Sequence, residues 1–143
     1  MRDTGHARVV YFPWDVDRTL WEVMDVDHAK LLRNAVLWAT NEMQPVSVKG
    51  RGVVDISVFT QRQSMTVHLV NLTNPMMMKG PVREAIPLSS QQVRIRIPAN
   101  KRVSRARLLV AGNELPYRME DGVITAEIPS IEVHEVVALD FAT

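Results

Sequence analysis

Two hydrophobic rhythms divide the chain near Gln44–Pro45. Beyond that point apolar and polar residues alternate. "VVDISVFT" puts Val54, Ile56 and Val58 on one face, and "SMTVHLV" sets Met65, Val67 and Leu69 against Thr66 and His68. "QVRIRIP" sets Val93, Ile95 and Ile97 against Arg94 and Arg96, and "ARLLVAG", "LPYRM", "GVITAEIP" and "EVVALDF" follow. A period of two is the signature of a strand with one buried and one solvated face. Asp121-Gly122, set between two such runs, predicts a tight hairpin, because both central positions of that turn demand positive φ. Seven or eight short strands of this kind predict an antiparallel sandwich over residues 44–143.

Residues 1–43 read differently. "RVVYFPW", Arg8 to Trp14, is apolar without alternation, which suits a strand covered on both faces in a parallel sheet. Residues 27–41, "DHAKLLRNAVLWATN", carry helical spacing: Leu31, Ala35 and Trp38 form one line, and Leu32, Val36 and Ala39 the next. Asp25 or Asp27 is placed to cap the first turn and Asn41 to close the last. The expectation is a strand, a loop and a helix, one β–α unit. Such a unit cannot bury its own faces and needs strand neighbours and a covering layer. Residues 8–41 are therefore expected to self-associate, to dock on another part of a larger protein, or otherwise to stay poorly ordered.

The 143 residues are 46% hydrophobic and 23% charged, ordinary for a globular chain. With no cysteine, disulfides, thiolate metal sites and cysteine nucleophiles are excluded. The N-terminus lacks the apolar stretch of a signal peptide, and no apolar run is long enough to span a membrane. Together with the missing cysteine this gives an expectation of a cytoplasmic protein without a membrane partner. Net charge is only +1, but the charge is segregated. Residues 92–111 hold six basic residues and no acid, and residues 112–143 hold seven acids and one base, Arg118. A basic block suggests nucleic acid. Without interleaved aromatics and with a nearly neutral whole, basic and acidic strands lying side by side is the favoured expectation, and no nucleic-acid partner is expected.

The two halves together resemble a known architecture. "VVYFPWDVDRTLWEVMDVDHAKLLRNAVLWATN", with its strand ending in "FPWD" and its helix "DH..LLRNAV.WA", resembles the last strand and helix of a class I glutamine amidotransferase-like domain. The variant it is most similar to is the trimerisation domain of family 42 β-galactosidases and related glycoside hydrolases. "SMTVHLVNLTNP", "RVSRARLLVAG" and "IPSIEVHEVVALDF" resemble the small β-sandwich that ends such enzymes. The resemblance implies a mainly β chain: an antiparallel sandwich, residues 44–143, preceded by one β–α unit, residues 1–43, of an incomplete amidotransferase-like domain. It implies an upstream catalytic barrel, or other subunits of the same protein, as partners. The carboxylate pair that cleaves a glycosidic bond lies on that barrel in such enzymes, and no acidic residue here matches it. The chain is thus expected to be non-catalytic and free of cofactors; the alternative is a free-standing carbohydrate-binding or protein-interaction sandwich.

Three candidate sites remain. "FPWDVDRTLW" lies past the end of a parallel-type strand, where open α/β sheets place ligands. There Trp14 and Trp21 are suited to stack on a sugar, and Asp15, Asp17 and Arg18 to bond its hydroxyls; the favoured reading is that the tryptophans are packing or interface residues and the charges solvated. Asp15 with Asp17, or Asp25 and Asp27 with His28, match no dedicated metal spacing, and capping accounts for the second set. Met76, Met77 and Met78 sit in a long connection between strands and read as a strap laid over the sandwich, the helix or a partner domain. No nucleophile elbow and no Gly-rich phosphate loop occurs. Asn71-Leu72-Thr73 fits a glycosylation pattern but reads as a strand end.

Overall fold

The computed structural model describes residues 1–23, 25–73 and 84–142. The chain forms two compact units, Met1–Met43 and Gln44–Thr143.

In the first unit, β1 (Arg2–Asp3) and β2 (Arg8–Val9) form a short antiparallel hairpin. Its turn is set by Asp3, whose carboxylate accepts from the Gly5 N–H at 2.8 Å while Gly5 takes φ 79°. Two helices follow, α1 (Val16–Val23) and α2 (Val26–Thr40). Asp25 caps α2 by accepting from the N–H groups of Asp27 and His28, and Asn41 ends it in the left-handed conformation. These bonds hold the Asp25 carboxyl below its ordinary pKa, the Asp27 N–H contributing most. Arg8 ties β2 to α2, donating to the Trp38 carbonyl at 3.0 Å with its guanidinium over the Trp38 ring.

Two expectations need correction here. Residues 8–14 do not form a strand buried on both faces: only Arg8–Val9 is in a strand, and Val9, Tyr11 and Trp14 are exposed. Among the described residues this run has no parallel neighbour, so its apolar side chains are only partly covered. The segment after Trp14 is not a loop either. Thr19 donates from both its N–H and its hydroxyl to the Asp15 carbonyl, which starts α1.

The second unit is an antiparallel β-sandwich. In chain order its strands are β3 (Val46–Lys49), β4 (Val54–Thr60), β5 (Ser64–Asn71), β6 (Leu88–Arg96), β7 (Val103–Leu108), β8 (Asn113–Glu114), β9 (Tyr117–Glu120), β10 (Val123–Ile131) and β11 (His134–Phe141). One sheet has the order β3-β6-β10-β9 and the other β4-β5-β11-β7-β8. Their inner faces meet in one core. Val93, Ile95, Ile124 and Ile128 come from the first sheet, and Val67, Leu69, Val137 and Leu139 from the second; all eight are without exposed surface. Burying each such side chain is worth about 1.5–3 kcal/mol. The hairpin expected at Asp121-Gly122 joins β9 to β10, with φ 48° and 72° at the two turn residues and Glu120 paired with Val123.

β6 and β10 change face together. Inward residues along β6 are Leu88, then Gln91, Val93 and Ile95; along β10 they are Ile124, Ala126 and Ile128, then Ile131. Each strand thus holds one step of three among steps of two. The break falls at Ser90, whose φ is 20°, and Pro129, which stands opposite and has no N–H to donate. Gln91, brought inward by this step, is nearly fully buried and donates to the Ser89 and Arg51 carbonyls at 2.7 and 3.2 Å. Gly50 lies close beside it: a Cβ there would overlap the Gln91 amide, which would have to shift.

Candidate functional site

The residues singled out near the N-terminus fall into two groups. Trp14 joins an open apolar groove of about 390 Å³ with Val10, Tyr11, Phe12, Leu31 and Trp38. Its ring meets Phe12 edge-on at 5.6 Å and is 54% exposed. Trp21, on α1, is 60% exposed and does not line this groove. Of the polar candidates, Asp17 and Arg18 belong to α1 and Asp15 directly precedes it. Arg18 pairs with Glu22 one turn on at 2.9 Å. The Asp17 carboxyl is held below its ordinary pKa by a hydrogen bond shared with Asp15, and then by the N–H of Arg18 and its own. Arg18 is thus engaged along the helix and Asp17 at its first turn, while the groove beside Trp14 is almost wholly apolar. Such a groove offers a sugar few hydroxyl partners and offers an apolar side chain a ready seat.

Among the described residues, no three His, Cys, Asp or Glu side chains are grouped to hold a metal. His28 turns back on the Asp25 carboxylate at 3.4 Å, within the cap of α2. His68, on the outer face of β5, meets His134 of β11, Nδ1 to Nε2 at 3.2 Å. The Phe59 ring stands edge-on to His68 at 5.3 Å. Sequence reasoning placed His68 on this face but not its partner, because pairing of β5 with β11 joins residues far apart in the chain.

The methionine strap, Met76 to Met78, lies outside the described residues. Both ends of its connection are held by Asn71. The Asn71 amide donates to the carbonyls of Ile86 and Glu132 at 2.7 and 2.8 Å, and its side-chain oxygen accepts from the Thr73 N–H at 2.9 Å. Asn71 is therefore a structural clasp at a strand end.

The segregated charges meet on the outer face of the second sheet. β7 pairs with β11, so Arg105 and Arg107 stand opposite Asp140 and Ala138. Arg107 donates to Asp140 at 2.9 Å, and Arg105 pairs with Glu114 of β8. The Arg105 partnership lowers the Glu114 pKa. Glu135 has a different task. It points inward at 3% exposure, and its oxygens accept from the N–H groups of Val110, Ala111 and Val136 at 2.8–3.1 Å. The carboxylate fixes the turn between β7 and β8. These acids hold structure together.

The first sheet's outer face is arranged otherwise. Pairing aligns Ser47, Arg94, Thr125 and Arg118 across all four strands, with Lys49, Gln92 and Glu127 on the next rung. A shallow groove of about 460 Å³ runs there, lined by Gln92, Tyr117, Arg118, Thr125 and Glu127.

No family model matches the sequence, and no curated protein does. Among solved structures the chain is similar to α-L-fucosidase isoenzyme 2 from Paenibacillus thiaminolyticus, with a TM-score of 0.73 and 16% sequence identity. The match covers 91% of this chain and 20% of that one, so the chain spans about one fifth of the enzyme it resembles. At that identity the likeness is one of fold: the chain is folded like part of a glycoside hydrolase. Among the described residues, no helix is long and apolar enough to cross a membrane.

Proposed function

We propose that this chain is a non-catalytic assembly and stabilising region of a carbohydrate-active glycoside hydrolase of the family 42 β-galactosidase kind. Residues 1–43 would complete an amidotransferase-like trimerisation domain, and residues 44–143 form the terminal sandwich. The observation that carries this reading is the apolar surface of residues 8–38. Tyr11, Trp14 and Leu31 are exposed around one groove, while the sandwich has its own closed core. Exposed apolar surface of this kind marks an interface. Its partner would be the remainder of the α/β domain, a catalytic barrel, or another subunit. The fold likeness to one fifth of a fucosidase supports a larger parent of this class. Asp25, Glu114, Glu135 and Asp140 are engaged in ion pairs, a cap and backbone hydrogen bonds, which supports a chain without a hydrolytic pair of its own.

Sedimentation tests this. The chain should self-associate through residues 8–41. Tyr11→Glu combined with Leu31→Glu should return it to a monomer without changing the melting of the sandwich. A monomeric parent chain would overturn the assembly role. Hydrolysis of chromogenic glycosides by the purified chain, abolished by a point change within it, would overturn the non-catalytic one.

A further inference from the structure

The edge strands of the sandwich are not alike. β3 and β9 are four residues long and carry Lys49, or Arg118 and Glu120, and β8 has two residues. Short strands and charges are the ordinary means of keeping an edge from pairing with another chain. β4 has little of either. It runs seven residues, Val54–Thr60, in unbroken register with β5, and Asp55 is its one charge. The two ends of that ladder give its hydrogen-bonding direction. The Leu72 N–H donates to the Val53 carbonyl and the Gln61 N–H to the Ser64 carbonyl, both at 2.8 Å. Backbone groups of an antiparallel strand alternate sides, so the odd positions from Val53 to Gln61 face β5. Val54, Ile56, Val58 and Thr60 turn their N–H and C=O groups to the open side, where β4 has no partner strand among the described residues. The side chains at this edge are incompletely covered too. Val54, Ile56 and Val58 pack on the core yet stay half-buried, and on the outer face Val53 and Phe59 are 45% and 57% exposed.

We infer that this edge binds the same edge of a second copy, antiparallel across a two-fold axis at Ile56. In that register β4 is its own complement. On the core side Ile56 meets the partner's Ile56, and Val54 meets the partner's Val58, so half-covered side chains gain apolar neighbours. On the outer face Asp55 meets the partner's Ser57, whose hydroxyl donates to it, and Val53 meets the partner's Phe59. A pairing centred at Ser57 instead would set Asp55 against Phe59 and Val54 against Thr60. The contact closes at two copies, because it uses up β4 and leaves the two-residue β8 at either end of the joined sheet. One strand edge buries less than the roughly 1,000 Å² of a stable interface, which makes this a weak contact with a Kd of about 1 mM. It does not rest on association through residues 8–41, and at sedimentation concentrations it is open.

The test is NMR on the isotope-labelled full chain carrying Tyr11→Glu and Leu31→Glu, which block the other surface. Between about 0.05 and about 1 mM protein, amide shifts should appear at Val54, Ile56, Val58 and Thr60. They should be smaller at Asp55, Ser57 and Phe59, whose N–H groups face β5. Ser57→Glu sets like charges against the partner's Asp55 and should weaken the pairing several-fold at an unchanged melting temperature. Ser57→Lys sets opposite charges there and should tighten it several-fold, each change acting twice across the two-fold axis. Amides of β4 that do not move with concentration would overturn the pairing and leave the edge to a strand of another protein. The same effect from both Ser57 variants would overturn the register, since a lysine blunts an edge that has no Asp55 opposite. Shifts confined to residues 8–38 would place all association on the apolar groove and overturn the edge contact. None of these outcomes touches the sedimentation of the unsubstituted chain, so the two proposals fail separately.

Discussion

Residues 1–43 and 44–143 use apolar side chains at similar density and to opposite ends. In the sandwich, alternation sends one set inward, and Val67, Leu69, Ile95, Ile124 and Leu139 vanish from the surface. In the first unit only Val16 and Ala35 are buried among the described hydrophobics, while Tyr11, Trp14, Trp21, Val26 and Val36 stay exposed. The difference lies in the number of layers. Two sheets cover each other, whereas a two-residue hairpin and two helices cannot enclose a core. Burial is thus a property of an assembly of elements, and an apolar run shows only that some assembly exists.

The comparison breaks most visibly if the units are separated. Residues 44–143 alone should give one cooperative thermal transition and sediment as a monomer. Residues 1–43 alone should show little helix by circular dichroism, since two short helices without a core are marginal. A truncated sandwich that fails to fold would place part of its core in the first unit.

Within the sandwich, Glu135→Ala should be among the most damaging substitutions, costing about 3 kcal/mol in denaturant unfolding. It removes the acceptor of three backbone donors, of which the Val136 N–H is buried and the Val110 and Ala111 N–H groups half-buried. Glu135→Gln, which keeps one acceptor oxygen, should cost about half as much. Gly50→Ala should follow at about 2 kcal/mol, because the new Cβ displaces the buried Gln91 amide. Neither change should alter association through residues 8–41, and loss of association would show that the units are not independent.

The smallest effect concerns the cap of α2. Asp25 titrates lower in the folded chain than its ordinary value of 3.8. A depressed carboxylate contributes stability in full above that ordinary value, and the contribution is lost as pH falls through the lowered one. Helical ellipticity should therefore decline on acidification through this window. Asp25→Ala should lower it at neutral pH and remove that dependence. An unchanged acid profile in the variant would mean that the cap is not what holds the first turn.

The sandwich was legible in the sequence because period two and the Asp121-Gly122 turn are local signals. The helix over 26–40 was legible for the same reason, through its spacing and the flanking Asp25 and Asn41. The extent of the strand at residues 8–14 was not, because a strand is made by its neighbours and composition cannot supply them. α1 was missed because "VDRTLWEV" spans only eight residues, too few for its period to stand out, and its start depends on one carbonyl, that of Asp15. β3 was missed because "VSVK" is too short to stand out. Of the site features, the pairing of basic with acidic strands followed from charge counts, whereas the His68–His134 contact and the rung joining Arg94 to Arg118 follow from register. Register is set by the whole sheet.

Ser90 and Pro129 have a consequence for how the sandwich finds its alignment. A regular pair of alternating strands can slide by two residues and still present apolar groups to the same side, so its correct pairing is only weakly distinguished from near misses. β6 and β10 carry matching interruptions, and after such a slide the two would no longer coincide. The proline would then stand against a partner expecting a donor, and Leu88 or Ile131 would turn to solvent. The two irregular residues fit as a tooth and its notch: a slid pairing would lose that fit, so the first sheet favours a single register.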